Sequence, residues 1–234
     1  MTSKVLKSGT LLDSVDEFNC SSPGAYLRNI SAVLERIPVS AVENVVATFF
    51  SAYLHNRAIY IFGNGGSAAL ASHAACDLGK GTAINGNKRL RAMSLTDNVA
   101  LITAWANDST YDDIFAAQLQ PLIQPGDIAF AISGSGNSPN VLKALSVARE
   151  VGGINIGLTG FEGGRMKALC EICVIVPSDN MQQVEDAHVC VMHSIFLALR
   201  QLVKNVDNGA STEIGSRCSG NSPSIKSPMR EQFL

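Results

Sequence analysis

Two segments of the sequence each bring a histidine and a carboxylate to one predicted helix. His73 and Asp77 are four residues apart, so they share one helix face. Glu185 and His193 are eight residues apart, about 80° around a helix axis, and His188 lies on the other flank of that helix. Because buried charges need a partner or a metal, and because imidazole and carboxylate groups bind Zn²⁺ and similar divalent cations, we predict a metal site at His73, Asp77, Glu185 and His193.

Two turns rich in glycine and serine point to a different chemistry. They are "GNGGS" at 63–67 and "SGSGNS" at 133–138, and each follows an apolar run. Glycines let backbone N–H groups approach a ligand, and the start of a helix adds free donors and partial positive charge. We therefore predict a phosphate site that uses no lysine or arginine. Its hydroxyl donors are Ser67, Ser133, Ser135 and Ser138. Neither turn has the spacing of a dinucleotide-binding loop or a P-loop.

The elements that position these residues follow from the hydrophobic pattern. Short apolar runs alternate with helical patterns, which is typical of an α/β fold with a parallel sheet whose strands are buried on both faces. The predicted strands are 58–62, 91–95, 127–132, 154–159 and 172–177, and the predicted helices between them are 67–79, 98–106, 111–120, 139–151 and 164–169. Ligands bind beyond the carboxyl ends of parallel strands, and both glycine-rich turns fall there.

Helices are also predicted before and after this alternation. Two amphipathic segments, 25–37 and 40–54, form an N-terminal helical hairpin broken at Pro38, with Ser40 as the expected N-cap. A long helix is predicted over 182–204, capped from within 178–180. The predicted organisation is an N-terminal extension at 1–22, one domain at 23–205, and a flexible polar tail at 206–234 rich in Ser, Gly, Asn and Pro.

Composition narrows the function classes. The 234 residues are 46% hydrophobic with a net charge of −2, which supports a sizeable core and gives no broad attraction to nucleic acid. No run of 18 uninterrupted apolar residues occurs, so we predict no membrane span. The six cysteines are scattered, which is typical of a reduced, cytoplasmic protein, and we expect "CEIC" at 170–173 to hold ordinary cysteines rather than a redox or zinc motif.

Several motifs together resemble one known family. They are "GNGGS" with a histidine six residues after its serine, "ISGSGNS", "GLTGFEGG" and "QVEDAHVCVMH". In this combination the chain resembles the SIS (sugar isomerase) domain family over about 35–205. The resemblance implies a single domain with a five-stranded parallel sheet flanked by helices, and a homotetramer with active sites between subunits. It also implies conversion of a ketoheptose phosphate to an aldoheptose phosphate, through an enediol.

The resemblance assigns roles to positions of this sequence. It implies a divalent metal, Zn²⁺ by expectation, at His73, Asp77, Glu185 and His193. Asp77 stands where the family has a glutamate, and Glu185 where it has a glutamine. Asp77 or Glu185 would be the base and His193 the acid. The implied substrate-binding residues are Asn64, Gly65, Gly66, Ser67, Asp77, Asn107, Asp108, Ser133, Gly134, Ser135, Ser138 and Glu185.

Two non-enzymatic alternatives remain at this point. One branch of the family is a non-catalytic tetramer that binds a replication initiator, and that branch is expected to lack the acidic residue at position 77 and the histidine at position 193. Another branch senses sugar phosphates and carries a DNA-binding domain, for which 1–35 is too short and insufficiently basic. Because Asp77 and His193 are both present, the sequence favours an enzyme.

Overall fold

The core of the molecule is one sheet of five parallel strands. The computed structural model describes residues 22–84 and 88–207. The strands are β1 (Ala58–Gly63), β2 (Arg91–Ser94), β3 (Ile128–Ser133), β4 (Ile154–Thr159) and β5 (Ile172–Ile175). Their order is β2-β1-β3-β4-β5, and every neighbouring pair is parallel. The predicted α/β class and the five-stranded parallel sheet are therefore confirmed.

Seven helices flank the sheet within the described residues. They are α1 (Pro23–Glu35), α2 (Val39–Leu54), α3 (Gly66–Gly81), α4 (Val99–Asp108), α5 (Ala116–Leu119), α6 (Pro139–Val151) and α7 (Met181–Asp207), with 3-10 turns at Tyr111–Asp113 and Arg165–Leu169. The predicted helix at 111–120 is thus a 3-10 turn followed by the short α5. The expected cap at Ser40 was wrong, because α2 already begins at Val39, after Pro38.

The strands send alternate side chains into two apolar layers, as the strand period requires. In β1, Ile59 and Ile61 pack with α2, α3 and α7, whereas Tyr60 and Phe62 pack toward α5 and α6. On the first face, the ring of Phe130 in β3 meets Phe49 of α2 edge-on at a centroid distance of 5.5 Å. This two-sided burial fixes the register of the central strands and hence the position of the turns at their carboxyl ends.

Burial on both faces was a wrong prediction for β2. Two of its four side chains are exposed, and only Ser94 is buried. In β5, Val174 is buried and the other three residues are half-buried. Both strands lie at the edges of the sheet, where one side has no neighbouring strand. An apolar run by itself does not distinguish an edge strand from a central one.

The long helix α7 closes one face of the sheet. Asn180 caps it by accepting a hydrogen bond from the Gln183 N–H at 3.2 Å. Its apolar stripe enters the core that α2 and α3 share. By length and composition, Met181–Val206 could cross a membrane, and the bent α1–α2 pair also passes that test. The helix α7 also carries Glu185, His188 and His193, the residues that the sequence analysis singled out.

The predicted domain limits stay predictions, because most of both flanking segments lies outside the described residues. The predicted extension 1–22 lies outside the described residues except for Ser22, which caps α1 by accepting a hydrogen bond from the Ala25 N–H at 3.2 Å. The predicted tail 206–234 lies outside them except for its first two residues, which end α7. The four described cysteines, Cys76, Cys170, Cys173 and Cys190, are free thiols.

Candidate active site

The turn after β1 brings the start of α3 close to β3. A Cβ atom at Gly63 would lie 2.4 Å from the Ile132 carbonyl oxygen and 2.7 Å from the Ser67 Cβ atom, so only glycine fits there. Gly65 has a φ of +56°, which favours glycine, and precedes the first residue of α3. The backbone N–H groups that begin α3 therefore lie at the carboxyl edge of the central strands, where an anion can reach them.

A reciprocal amide pair joins the turn after β1 to the start of α6, which directly follows the serine turn. The Asn64 Nδ2 group donates to Asn140 Oδ1 at 2.9 Å, and Asn140 Nδ2 donates back to Asn64 Oδ1 at 2.8 Å. The Tyr111 hydroxyl donates to the same Asn64 oxygen at 3.1 Å. Asn140 is almost fully buried at the start of α6. The predicted substrate-binding residue Asn64 is therefore fixed by side chains from two other elements.

The serine turn after β3 has the compact form expected of an anion cradle. The hydroxyls of Ser133 and Ser138 lie 3.4 Å apart, and the Ser135 hydroxyl accepts from the Asn137 N–H at 3.3 Å. A Cβ atom at Gly134 would lie 2.5 Å from the Met181 sulfur, so α7 packs directly on this turn. The structure therefore places three of the four predicted phosphate donors, Ser133, Ser135 and Ser138, at the end of β3 and in the turn after it, beside the start of α7. The fourth, Ser67, lies in the first turn of α3.

Helices α3 and α7 bring His73, Asp77 and His193 together. His73 Nε2 lies 3.3 Å from Asp77 Oδ2, and His193 Nε2 lies 3.8 Å from the same oxygen. The two histidine Nε2 atoms are 3.4 Å apart, with ring centroids at 5.0 Å. One possible ligand atom from each of the three residues lies within 4.8 Å of the other two. We call His73, Asp77 and His193 the histidine–aspartate group.

Glu185 lies apart from the histidine–aspartate group. Its carboxylate oxygens would be 3.1–3.2 Å from a Cβ atom at Gly66, so the side chain covers the start of α3. Eight residues separate it from His193, about 12 Å along a helix axis. Glu185 instead lines a cleft of about 220 Å³ with Gly66, Ser67, Leu70, Asp186, His188 and Val189. Within one chain the structure thus forms a three-residue group, and a metal role for Glu185 stays a prediction.

Asn107 and Asp108 are the predicted residues that the chain does not connect to this region. Asn107 Nδ2 donates to Asp108 Oδ1 at 2.8 Å, and both residues are exposed at the end of α4. No other side-chain hydrogen bond of this pair occurs within the described residues. Their predicted contact with substrate therefore stays untested in a single chain.

Sequence reasoning missed Asn140 and Tyr111, and it left His188 without a role. Asn140 follows "SGSGNSP" as one more polar residue at a helix start, so its sequence context gave no sign of a partner 76 positions away. His188 is 1% exposed, and desolvation by burial lowers the pKa of its ring to about 4. Its position among apolar residues of the last helix was the available signal, and that pattern is equally typical of a core residue.

Comparison with known proteins assigns this fold and site to a class. The model of the SIS domain matches residues 25–160. With a parallel five-stranded sheet and polar turns at its carboxyl edge, the chain belongs to the SIS domain family.

Its relatives include named isomerases. The chain is 40% identical over 169 residues to the phosphoheptose isomerase of Trichlorobacter lovleyi, covering 72% of this chain and 84% of the relative. It is 43% identical over 137 residues to that of Paramagnetospirillum magneticum, covering 58% and 71%. The solved structure of a phosphoheptose isomerase from Neisseria gonorrhoeae superposes with a TM-score of 0.71 at 28% identity, covering 76% of this chain and 96% of that one.

Proposed function

We propose that the protein isomerises a phosphorylated ketose to the corresponding aldose, with sedoheptulose 7-phosphate as its substrate. The observation that carries the proposal is the histidine–aspartate group, in which α3 and α7 place Asp77 Oδ2 3.3 Å and 3.8 Å from two imidazole nitrogens. The named activity of the relatives gives the substrate class. A non-catalytic scaffold needs no such group of titratable side chains.

The layout of the site suits a long sugar phosphate. The serine turn and the start of α3 offer donors to the phosphate at the carboxyl edge of β1 and β3. Seven residues separate Gly66 from His73, about 10 Å along α3. Glu185 and its cleft lie beside Gly66, at the start of this interval. A substrate anchored at its phosphate would therefore reach the histidine–aspartate group with the opposite end of its chain, and its remote binding energy would position that end.

The reaction needs a base and an acid at adjacent carbons. Asp77 is the candidate base, because its carboxylate lies at the centre of the histidine–aspartate group. When no metal is bound, His193 is the candidate acid, since a protonated imidazole donates to the sugar carbonyl oxygen as the base removes the proton from carbon and the enediol forms. As a metal ligand its ring would be neutral and would not donate a proton from Nε2. Glu185 remains the alternative base, and its place beside Gly66 fits a contact with a sugar hydroxyl equally well.

A divalent metal fits the histidine–aspartate group. Two imidazole nitrogens and one carboxylate oxygen within 4.8 Å are the three protein ligands typical of a catalytic zinc with an open coordination position. His73, Asp77 and His193 would hold the ion. When bound, Zn²⁺ supplies polarisation of the carbonyl and hydroxyl oxygens of a sugar.

The direct experiment is incubation of the full chain with sedoheptulose 7-phosphate, with NMR detection of the aldose product. We expect turnover in the wild type and a loss on the order of 10²–10⁴-fold in Asp77→Asn and in His193→Ala, the contribution of a positioned acid or base. His55→Ala is the matched control, because His55 is exposed at the end of α2 and, among the described residues, its ring forms hydrogen bonds only with Ser51 of the same helix. Wild-type turnover in both site variants would remove these residues from the chemistry.

Metal content gives a separate test of the zinc proposal. We expect about one zinc per chain in the purified protein, less in His73→Ala, and loss of turnover with a chelator that added Zn²⁺ restores. Undiminished turnover in metal-free protein would contradict the metal proposal while leaving the isomerase proposal intact.

The assembly and compartment are also proposals. A homotetramer with active sites between subunits would cover apolar side chains that a single chain leaves exposed, among them Val99 and Trp105 of α4. It would also bring Asn107 and Asp108 of one chain toward the site of another. A cytoplasmic location is supported by the free thiols of the four described cysteines.

A further inference from the structure

His188 is a buried residue with one hydrogen-bonding atom left over. It is 1% exposed on α7, and its ring forms a hydrogen bond with the backbone of Thr159 at the end of β4. Its Nε2 atom has no hydrogen-bond partner among the described residues. An unpartnered buried polar atom costs about 1–3 kcal/mol, so native proteins rarely retain one without a use.

The side chain borders the cleft between α3 and α7. Its neighbours in the lining include Gly66, Ser67 and Glu185, which the sequence predicts to bind substrate. The cleft of about 220 Å³ exceeds the roughly 30 Å³ that one water occupies in the liquid. It therefore has room for a hydroxylated part of a ligand.

The protonation state of His188 defines what it can bind. A ring nitrogen that bonds to the Thr159 carbonyl must carry the hydrogen, so in the neutral ring Nε2 is a bare acceptor. Burial lowers the pKa to about 4, so the ring is neutral near pH 7. The side-chain oxygens of Glu185 and Asp186 in the same lining offer further acceptor positions. The α7 side of the cleft therefore favours a ligand group that brings O–H donors, whereas Ser67 and the start of α3 offer donors on the other side.

We propose that the Nε2 atom of His188 accepts a hydrogen bond from a hydroxyl group of the substrate and so helps to bind the sugar chain. This inference rests on the proposed function. This contact would fix the middle of the chain between the phosphate turn and the histidine–aspartate group. His188 is not part of the three-residue group that could hold a metal within the described residues. The ligand class is a polyhydroxylated sugar phosphate, and we expect inorganic phosphate, held at the serine turn, to leave this atom without a partner.

Two substitutions separate the contact with substrate from the contact with Thr159. His188→Asn keeps an N–H where the ring donates to Thr159 but has no atom at the Nε2 position. His188→Gln places an amide oxygen near the Nε2 position and gives up the bond to Thr159. We expect KM for sedoheptulose 7-phosphate to rise about tenfold in His188→Asn, the effect of one lost hydrogen bond, and less than about threefold in His188→Gln. Inhibition by inorganic phosphate should be unchanged in both.

Other outcomes of this pair count against the proposal. Wild-type KM in His188→Asn, or equal loss in both variants together with weaker inhibition by phosphate, would mean that His188 only supports the packing of α7. Thermal unfolding of both variants shows whether each is folded at the assay temperature.

A spectroscopic test does not depend on turnover. In full-length protein with ¹⁵N-labelled histidine, we expect the His188 Nε2 resonance to move from that of a bare acceptor toward that of a hydrogen-bonded one on addition of sedoheptulose 7-phosphate. Inorganic phosphate should leave it in place. An unmoved resonance with bound sugar phosphate would overturn the proposal. If the wild type binds the sugar phosphate without isomerising it, the proposed function fails and this resonance still decides the role of His188.

Discussion

The carboxylate of Asp77 lies between two histidines that come from different helices. Its Oδ2 atom is within 4 Å of both Nε2 atoms, although aspartate is one methylene shorter than the glutamate that the family resemblance implies at this position. The short side chain suffices because α3 and α7 pack side by side over the sheet. The substitution is therefore compatible with a metal or acid–base role.

Gly63 and Gly134 differ in the atoms that a side chain at each position would meet, which are backbone at Gly63 and a flexible side chain at Gly134. We expect Gly63→Ala to destabilise the fold by about 2–3 kcal/mol, because its Cβ atom would lie 2.4 Å from a backbone oxygen of β3. Gly134→Ala should cost less than about 1 kcal/mol, because the Met181 thioether that it would meet is flexible. Urea unfolding midpoints of the two variants and the wild type make the comparison. Equal losses would contradict it.

The buried ring of His188 predicts how stability depends on pH. Its pKa falls from 6.5 to about 4 on folding, so the unfolded chain takes up a proton first as the pH drops. The neutral ring therefore contributes up to about 3 kcal/mol to the free energy of unfolding. This contribution is fully present above about pH 6.5 and is lost as the pH falls toward 4. The free energy of unfolding of the wild type and of His188→Asn, measured from pH 7 to pH 4, tests this. Parallel curves for the two proteins would refute the assignment.

At the scale of elements, the amide pair between Asn64 and Asn140 couples the turn after β1 to the start of α6. The position of the turn after β1 therefore depends on a side chain of α6 as well as on its own backbone. The Tyr111 hydroxyl adds a third contact from the 3-10 turn. Asp113 in that 3-10 turn pairs with Lys143 and accepts hydrogen bonds from the hydroxyls of Ser109 and Thr110. These contacts hold the turn in place and lower the pKa of the Asp113 carboxyl to about 2.

Breaking the amide pair should therefore affect both stability and substrate binding. Asn140→Ala removes a buried partner of Asn64, and we expect it to cost about 1–3 kcal/mol in the free energy of unfolding. KM should also rise, because Asn64 would no longer be fixed beside the phosphate turn. Tyr111→Phe is the milder control, since it removes one hydrogen bond from an exposed residue. Denaturant unfolding and initial rates measure the two effects, and an unchanged KM in Asn140→Ala would contradict the coupling.

At the scale of the whole molecule, α4 is unusual because it contains no buried residue. Val99 is 66% exposed, Leu101 42% and Trp105 39%, although all three are apolar. The predicted substrate residues Asn107 and Asp108 end the same helix. Exposed apolar patches of this kind are typical of surfaces that associate, which is why α4 supports the proposed tetramer.

Charges placed on α4 should disrupt that assembly. We expect the full chain to sediment as a tetramer and the double variant Val99→Glu, Leu101→Glu to form smaller species, because association would bury the new carboxylates. Leu122→Glu is the matched control, since Leu122 is 40% exposed but lies in the turn before β3. Sedimentation velocity distinguishes the species. A monomeric wild type would disprove the tetramer, and a tetrameric double variant would exclude α4 from its interface.

Much of the fold could be predicted because its determinants are local. Apolar runs and helical periodicity located the strands and the long helices, and α6 and β4 have the predicted bounds. Glycine and serine placed directly after apolar runs indicated the phosphate turns. The edge position of β2, the splitting of the predicted helix at 111–120 and the start of α2 at Val39 were not predictable in this way. They depend on what packs against each segment.

The sequence by itself determined which side chains face the same way on one helix, because the helical period is fixed by the backbone. His73 and Asp77 share a face for that reason. Only the tertiary structure decided that Asp77 meets His193, that Glu185 lies over Gly66, and that His188 is buried with a free acceptor. Each of these depends on the distance and offset between two packed helices, which are set by interlocking side chains across the core and not by spacing within either segment.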